Sequence, residues 1–410
     1  FGGCWKRINL NRGQPDKRLT AKLLWGEKIM FINFWYVACT SSELTFGAPQ
    51  PKKVMMLGHT FALWRDTAGK VQCISNTCTH RSGALGDGRI RGDCLECPYH
   101  GWTFNGQGDC VRLPSLGPDA KIPARTRVDA YPVEERYGLV HVFLGDLPEA
   151  ERPPILDAPE FDDPDWHFIP LNLEWKIDYK RSVENTMDPA HNEFTHPTHG
   201  FLGAKEDYVV EDITLEDTDW GTGFMNAMKA PPLPQKEMRE ESGREDDGVT
   251  HAGSGNHGPN CTWTFIHISD QAWFHGYAFH TPVHEKLDRV YGIFGRNFMT
   301  EAKYDKTFED RSLYVAEQDR YVLEPMEPAL SPGSNVNELL VPADKAIGRY
   351  REFCQEWEAN GWRLDTKKIR EDKDRVAYAI PSPARREHKS WVLPSVPLLK
   401  GSKPAVKAVG

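Results

Sequence analysis

The chain has 410 residues, which at about 150 residues per domain predicts two or three domains. Its 50 lysines and arginines are outnumbered by 59 aspartates and glutamates, and this net charge of −9 argues against a nucleic-acid partner and against docking on anionic lipid. No apolar run approaches the roughly 20 residues of a membrane helix, and 39% hydrophobic residues is typical of a globular protein without a membrane span.

The cysteine content and the N-terminal segment bear on location. Nine cysteines, an odd number, do not indicate a disulfide framework in a chain of this length. Residues 1–30 carry no motif, are basic and lack the apolar segment of a signal peptide, so we treat them as an N-terminal extension. We therefore expect a cytoplasmic, reducing location, in which cysteines more often bind metals than form disulfides.

Residues 31–150 predict an all-β domain. Short apolar or alternating runs, separated by turn residues, occur at Val54–Leu57, Phe61–Arg65, Val71–Ser75 and Tyr137–Leu144. Glycines are frequent between these runs, and no helical period is present. A linker rich in proline and acidic residues follows at 148–164.

Two short segments of this domain carry one cysteine and one histidine each: Cys78-x-His80 and Cys97-x-x-His100. Two metal centres use two Cys and two His: a tetrahedral zinc ion, and a Rieske [2Fe–2S] cluster with Cys ligands on one iron and His ligands on the other. A zinc finger usually pairs Cys with Cys and His with His, so the mixed loops favour the cluster. A zinc site that uses Cys94 remains an alternative.

The next motif is Asn185-x-x-Asp188-x-x-His191-x-x-x-x-His196, in a stretch from 181 to 196 that looks helical but contains Pro189. At 100° per residue its first three members share one face of a helix. Because the residue before a proline leaves the helical region, His196, which precedes Pro197, can turn back toward that face.

This motif has two interpretations. Two His side chains and one carboxylate form the 2-His-1-carboxylate site of an oxygen-activating Fe(II). Alternatively, Asp188 is only a helix cap with Pro189 at the first helical position, and His199 is either a ligand or a loop residue.

Residues 151–380 predict a mixed domain with an antiparallel sheet. We expect a long surface loop at 230–260 that gates a substrate pocket, and aromatic residues of the following strands as the lining of that pocket. The predicted strands are Thr262–Ile268, Ala272–Thr281 and Arg289–Phe298, and the predicted helices are Tyr304–Glu324 and Ala343–Ala359. The segment 381–410, rich in proline and basic residues, is predicted to be a C-terminal arm.

The third ligand of an Fe(II) site must come from a later carboxylate. Asp319 is our choice, with Glu317 and Glu324 as rivals and Asp310 as a weaker one. The alternative is that this acidic stretch is simply the solvated face of a helix.

The runs Cys78–Arg81 and Cys97–Trp102 resemble the Rieske non-heme iron oxygenases, and within the second run Trp102 can shield the cluster from water. The Rieske proteins of cytochrome bc complexes differ by an extra disulfide between the loops, and here those positions are Gly83 and Tyr99. The 185–196 run resembles the catalytic signature of the same oxygenases, and Asp319 resembles their ligand aspartate. The Asp-Pro-Ala-His core and the 344–351 run are similar to the phthalate/vanillate-type and chlorophyllide a oxygenase-like branches.

The resemblance implies an α+β fold: an all-β Rieske domain (31–150) followed by a catalytic, helix-grip-like domain (151–380). It implies that Cys78, His80, Cys97 and His100 bind a [2Fe–2S] cluster and that His191, His196 and Asp319 bind mononuclear Fe(II). Asn185 and Asp188 are then catalytic-site residues, with Asp188 linking His191 to His100 of a neighbouring subunit in a homotrimer.

The implied activity is that of a terminal oxygenase. Such an enzyme uses O₂ and electrons from NAD(P)H, which reach it through a separate flavin reductase or ferredoxin, to hydroxylate an aromatic or other hydrophobic small molecule by mono- or dioxygenation. Oxidative O- or N-demethylation is the first alternative. A non-catalytic Rieske electron carrier and a zinc-dependent hydrolase are the others.

Overall fold

The computed structural model describes residues 28–233, 236–244, 248–284 and 286–401. Most of the expected N-terminal extension therefore lies outside the described residues. Its last three residues, Lys28, Ile29 and Met30, are buried in the core.

The N-terminal half is built from three small antiparallel sheets. Their orders are β1-β10-β9, β2-β3-β4 and β5-β6-β7-β8. The strands are β1 (Phe34–Thr40), β2 (Lys52–Met56), β3 (His59–Arg65), β4 (Val71–Ser75), β5 (Arg89–Arg91), β6 (Cys94–Glu96), β7 (Thr103–Phe104), β8 (Cys110–Arg112), β9 (Val133–Arg136) and β10 (Leu139–Leu144). The predicted all-β character of this half is confirmed.

The C-terminal half contains one large antiparallel sheet of seven strands in the order β11-β17-β16-β15-β14-β13-β12. Its strands are β11 (His167–Trp175), β12 (Glu216–Thr218), β13 (Gly221–Ala230), β14 (Gly248–His257), β15 (Cys261–His267), β16 (Trp273–His284) and β17 (Leu287–Arg296). The three strands predicted for 262–298 correspond to β15, β16 and β17, which confirms an α+β architecture.

Helices surround this sheet. They are α1 (Tyr179–Thr186), α2 (His191–Thr195), α3 (Lys236–Ser242), α4 (Asp305–Leu323), α5 (Lys345–Ala359), α6 (Thr366–Glu371) and α7 (Ala384–Glu387). The two long predicted helices are α4 and α5, each within two residues of the expected ends. No helix in the described ranges is both long enough and apolar enough to cross a membrane.

The predicted surface loop at 230–260 is wrong, because this segment contains α3 and the sheet strand β14. The side chains that β14 buries are small or polar, among them Thr250, Ser254 and Asn256, so neither face shows the apolar alternation expected of a strand. A Cβ atom at Gly255 would lie 2.7 Å from the ring of Trp263 on β15, so glycine leaves room for that ring.

The two halves pack together through shared hydrophobic cores. Phe34 on β1 makes edge-to-face contacts with Trp357 of α5 and with Trp362, at ring-centroid distances of 5.1 and 5.7 Å. The predicted C-terminal arm, as far as residue 401, packs back on the N-terminal half, where Arg385 forms a 2.7 Å ion pair with buried Asp129. The boundaries at 30, 150 and 380 stay predictions.

Candidate metal centres and substrate cavity

The loops 78–83 and 97–102, between β4 and β5 and between β6 and β7, have the same backbone hydrogen bonds. In each loop the cysteine N–H donates to the carbonyl five residues later, at 2.9 and 2.8 Å. The cysteine carbonyl accepts from the N–H four residues later, at 3.0 and 3.1 Å, and that residue has a positive φ: +55° at Ser82 and +71° at Gly101. Two unrelated stretches of sequence thus form matching turns.

The four candidate cluster ligands lie at the tips of these loops. The thiols of Cys78 and Cys97 are buried and share a hydrogen bond, which lowers the pKa of Cys97 to about 6 and raises the pKa of Cys78. The rings of His80 and His100 are exposed, with centroids 4.4 Å apart, and Trp102 stacks on His80 at 4.4 Å and an interplanar angle of 2°. The sulfurs therefore face the core and the imidazoles face the surface.

This arrangement fits a two-iron cluster better than a zinc ion. Ligands of one tetrahedral zinc ion lie within about 4 Å of one another. Among the described residues, no three of these four ligands have ligand atoms that all lie within 4.8 Å of one another, even when Cys94 is included. The hydroxyl of Thr79 is buried beside the site and has no hydrogen-bond partner in the described chain, so it is available to an acceptor atom of a bound group.

The positions of the missing disulfide face each other. A Cβ atom placed on Gly83 would lie 3.3 Å from the Cβ atom of Tyr99, a little less than the mean of about 3.8 Å in disulfides. The loops therefore approach each other as closely as in a disulfide-linked Rieske protein, without the residues that could form the bond.

The second candidate site consists of His191, His196 and Asp319, whose ligand atoms all lie within 4.8 Å of one another. Nε2 of His191 and Nε2 of His196 are 3.6 and 3.1 Å from Oδ1 of Asp319. Burial disfavours protonation of His196, but Asp319 outweighs this and raises the pKa of His196 above its ordinary value. The structure thus brings together the residues that the sequence offered as an iron site.

The local geometry differs from the predicted single helix. Asn185 is in α1 and His191 begins α2, and the intervening residues 187–190 form a turn, so the two do not share one continuous helical face. The position of His196 agrees with the effect expected of Pro197, because its φ and ψ of −115° and 103° are extended and end α2.

Hydrogen bonds orient the three candidate ligands. Asn185 donates to Oδ1 of Asp319 at 2.9 Å, and Nδ1 of His196 lies 2.8 Å from Oε1 of Gln318, which accepts the ring N–H. Such contacts set the tautomer and direction of a metal-bound ring. The sequence analysis missed Gln318, because only the helical position next to Asp319 would have pointed to it.

Asp188 does not bond His191 as expected. Its main-chain carbonyl, 2.5 Å from Nδ1 of His191, accepts that N–H, while its carboxylate accepts the N–H of Ala190 at 2.8 Å. The carboxylate therefore closes the turn before α2, but it is not the helix cap of the alternative interpretation, because α2 begins at His191 and Pro189 is not its first residue. Its other oxygen has no hydrogen bond within the described ranges.

The rival carboxylates are engaged elsewhere. Glu317 and Glu324 form ion pairs with Arg320 at 2.5 and 3.0 Å, and Asp310 pairs with Lys306. His199 is outside the group of three, with its ring centroid 5.3 Å from that of His196.

A cavity of about 300 Å³ opens at His191, His196 and Asp319. Phe274 and Phe294 of the sheet line it, which confirms the predicted aromatic walls. The described part of the 230–260 segment lines it too, through α3 and β14 rather than through an irregular loop, and its gating of the cavity stays a prediction.

Two family models match the chain. Residues 34–132 match the Rieske [2Fe–2S] domain, and residues 175–360 match the vanillate O-demethylase oxygenase C-terminal domain. The chain belongs to the Rieske oxygenase family. The first match contains all four candidate cluster ligands of this Rieske oxygenase, and the second contains His191, His196 and Asp319.

Curated relatives agree with this assignment. The toluene-4-sulfonate monooxygenase system iron-sulfur subunit of Comamonas testosteroni is 37% identical over 47% of this chain and 54% of its own length. The 3-chlorobenzoate-3,4-dioxygenase oxygenase subunit of the same organism is 33% identical over 45% of this chain and 41% of its own. The Rieske oxygenase described here spans about half the length of the curated relatives it matches.

Solved structures share the fold. NdmA of Pseudomonas putida, solved with caffeine, aligns with a TM-score of 0.67 and 23% identity over 80% of this chain and 91% of its own. The Rieske oxygenase architecture therefore extends over both halves.

Proposed function

We propose that this chain is a terminal oxygenase that hydroxylates an aromatic or other hydrophobic small molecule. One observation carries the proposal: two histidines and a carboxylate, converging from α2 and α4, open onto a cavity with phenylalanine walls. Bound as a [2Fe–2S] cluster and Fe(II), iron supplies one-electron transfer and the activation of O₂.

The chain's own residues would hold and shield these groups. Cys78, Cys97, His80 and His100 would bind the cluster. His191, His196 and Asp319, which line the cavity, would bind Fe(II). Gln318 and the carbonyl of Asp188 fix the ring orientations of His196 and His191.

His191→Ala tests this function. We expect the purified variant to fall from about three irons per chain to about two, to keep the Rieske absorption and EPR spectra, and to form no product, since the two sites share no ligand. Iron analysis with O₂ uptake and product assays checks this. Product formation by the variant would exclude His191 as an essential iron ligand, whereas two irons per chain and no product in the wild type would identify a non-catalytic electron carrier.

Oxidative demethylation is the second candidate, because the C-terminal half matches the vanillate O-demethylase domain. Methoxy- and methyl-substituted arenes offered to one preparation separate the two reactions. Formaldehyde release indicates demethylation, whereas hydroxylated product without formaldehyde indicates ring or side-chain hydroxylation.

The electrons are proposed to come from NAD(P)H through a separate reductase or ferredoxin and to cross between subunits of a homotrimer. Asp188 has one carboxylate oxygen without a hydrogen bond in the described chain, and His100 is exposed. We propose that this oxygen accepts from His100 of the adjacent subunit, so that electrons reach His191 through Asp188 and its carbonyl.

Single-turnover kinetics of Asp188→Asn, beside sedimentation, tests this route. The amide oxygen can still cap Ala190, so both iron centres and the trimer should persist. The amide N–H cannot accept from the partner ring, so oxidation of the pre-reduced cluster should slow by orders of magnitude. A wild-type rate of cluster oxidation in the variant would contradict the proposed hydrogen bond between Asp188 and His100 of the adjacent subunit. Full activity of a monomer would contradict electron transfer between subunits.

A further inference from the structure

One face of α4 lines the cavity and carries two opposite charges, Arg311 and, two turns later, Asp319. Its lining residues recur at helical spacing: Phe308, Arg311, Ser312, Val315, Ala316 and Asp319. Arg311 and Asp319 are eight residues apart, or about 12 Å along the helix axis. The cavity wall therefore carries a cation about two turns of α4 before Asp319.

In the described part of the chain, Arg311 differs from other arginines of this domain because it has no partner. Arg296 pairs with Asp305 at 2.6 Å, and Arg320 pairs with Glu317 at 2.5 Å. Within the described residues, Arg311 has no hydrogen bond, ion pair or cation–π contact. The carboxylates among the residues that line the cavity are Asp188 and Asp319, and neither contacts Arg311.

An unpaired cation in this position is costly. Burial is the sole cause that lowers the pKa of Arg311, and no neighbouring anion offsets it. A guanidinium nevertheless stays protonated at neutral pH, so the charge persists in a largely desolvated place. A bound anion would offset the free-energy cost of this desolvated charge, and perturbed ionisable groups in a cleft are typical of binding sites.

A second set of unsatisfied groups faces the same cavity. Oγ1 of Thr198 and Nδ1 of His199 are buried and have no hydrogen-bond partner in the part of the chain described. Both follow His196 in the turn after α2. Together with Arg311 they offer hydrogen-bonding groups to an occupant that carries polar oxygen atoms.

We propose that Arg311 binds an anionic group of the substrate, and that the substrate class is therefore arene carboxylates and sulfonates. This inference rests on the proposed oxygenase function. The planar fork of a guanidinium matches the two oxygens of a carboxylate or sulfonate, and the phenylalanine walls take the ring. The anion at Arg311 then directs the opposite end of the arene toward His191, His196 and Asp319.

Binding of matched ligand pairs to the iron-loaded holoenzyme tests the proposal. Calorimetry compares 4-methylbenzoate with neutral 4-methylbenzamide, and benzenesulfonate with neutral benzenesulfonamide. We expect the wild type to prefer the anions by about tenfold to a hundredfold, the usual range for a charge-assisted pair. Arg311→Gln should lose this preference and bind the amides unchanged, and Arg311→Lys should keep part of it.

The controls separate this proposal from alternatives. Arg320→Gln, which changes an arginine of the same helix that pairs with Glu317, should keep the full preference, as should His191→Ala. An anion preference that survives Arg311→Gln, or is absent from the wild type for both pairs, overturns the proposal. A preference lost in His191→Ala but kept in Arg311→Gln assigns the anion to the iron and also overturns it. Because calorimetry needs no turnover, failure of the oxygenase function would show separately, in the product assay.

Discussion

The two candidate iron centres of this chain are assembled in opposite ways. Cys78, His80, Cys97 and His100 lie on two adjacent loops whose backbones close on themselves through matching hydrogen bonds. The second centre takes two residues from around α2 and a third from α4, more than 120 residues later. A site built from local turns is visible as a sequence motif, whereas a site built by tertiary packing is visible only in part.

The sharpest test of the packed site replaces its distant ligand. Asp319→Ala should abolish binding of the mononuclear iron and all product formation, because the two histidines alone leave the metal with too few ligands. Iron analysis and the Rieske EPR signal measure both centres in one sample.

Glu317→Ala is the matched control, two residues away on the same helix and paired with Arg320. It should keep iron and activity. If Glu317→Ala lost the mononuclear iron and Asp319→Ala kept it, the third ligand would be Glu317. The face of α4 that meets the two histidines would then differ from the one described.

A smaller effect is expected from the groups that orient the ligands. Asn185→Ala removes the hydrogen bond to Asp319, and Gln318→Ala removes the bond to His196. Each should weaken Fe(II) binding by about 10- to 100-fold, the usual cost of losing such a partner. Competition titration with a chelator gives the affinity. Unchanged affinity in both variants would show that the ligands hold their geometry without these contacts.

The smallest effect concerns the loop site. Gly101→Ala should destabilise the holoprotein by about 1–2 kcal/mol, because a Cβ atom is disfavoured at positive φ and would lie 3.1 Å from Pro114. Ser82→Gly, at the equivalent position of the other loop, should not destabilise by more than about 1 kcal/mol. Urea unfolding followed by cluster absorbance compares them. Equal losses would mean that the loops are not equivalent turns.

The sequence predicted the strands and helices whose hydrophobic periodicity matches the burial of their faces. The strands β3, β4 and β15–β17 and the helices α4 and α5 carry clear periodicities, and the cluster loops carry their ligands at fixed spacing. It failed at β14, where small and polar residues face a cavity instead of a core, so that no apolar alternation exists. It also failed at Asp188, because which of its oxygens meets His191 depends on the turn at 187–190.

Two residues of α4 could not be found from the sequence because their roles depend on tertiary packing. Gln318 and Arg311 are ordinary polar residues of a helix in sequence terms. Only the packing of α4 against α1 and the sheet shows that Gln318 orients His196 and that Arg311 faces a cavity with no counter-ion among the described residues. Nothing in their own neighbourhood along the chain distinguishes them from solvent-facing positions.

Strand β1 has a consequence for engineering. Phe34 and Tyr36 point into the core shared with α5, whereas Trp35 and Val37 point into a second core formed with the large sheet. A graft that exchanged only residues 31–150 for those of a relative would put foreign side chains into both cores at once. Chimeras between such oxygenases should therefore carry β1, the large sheet, α5 and the 379–398 segment from one parent.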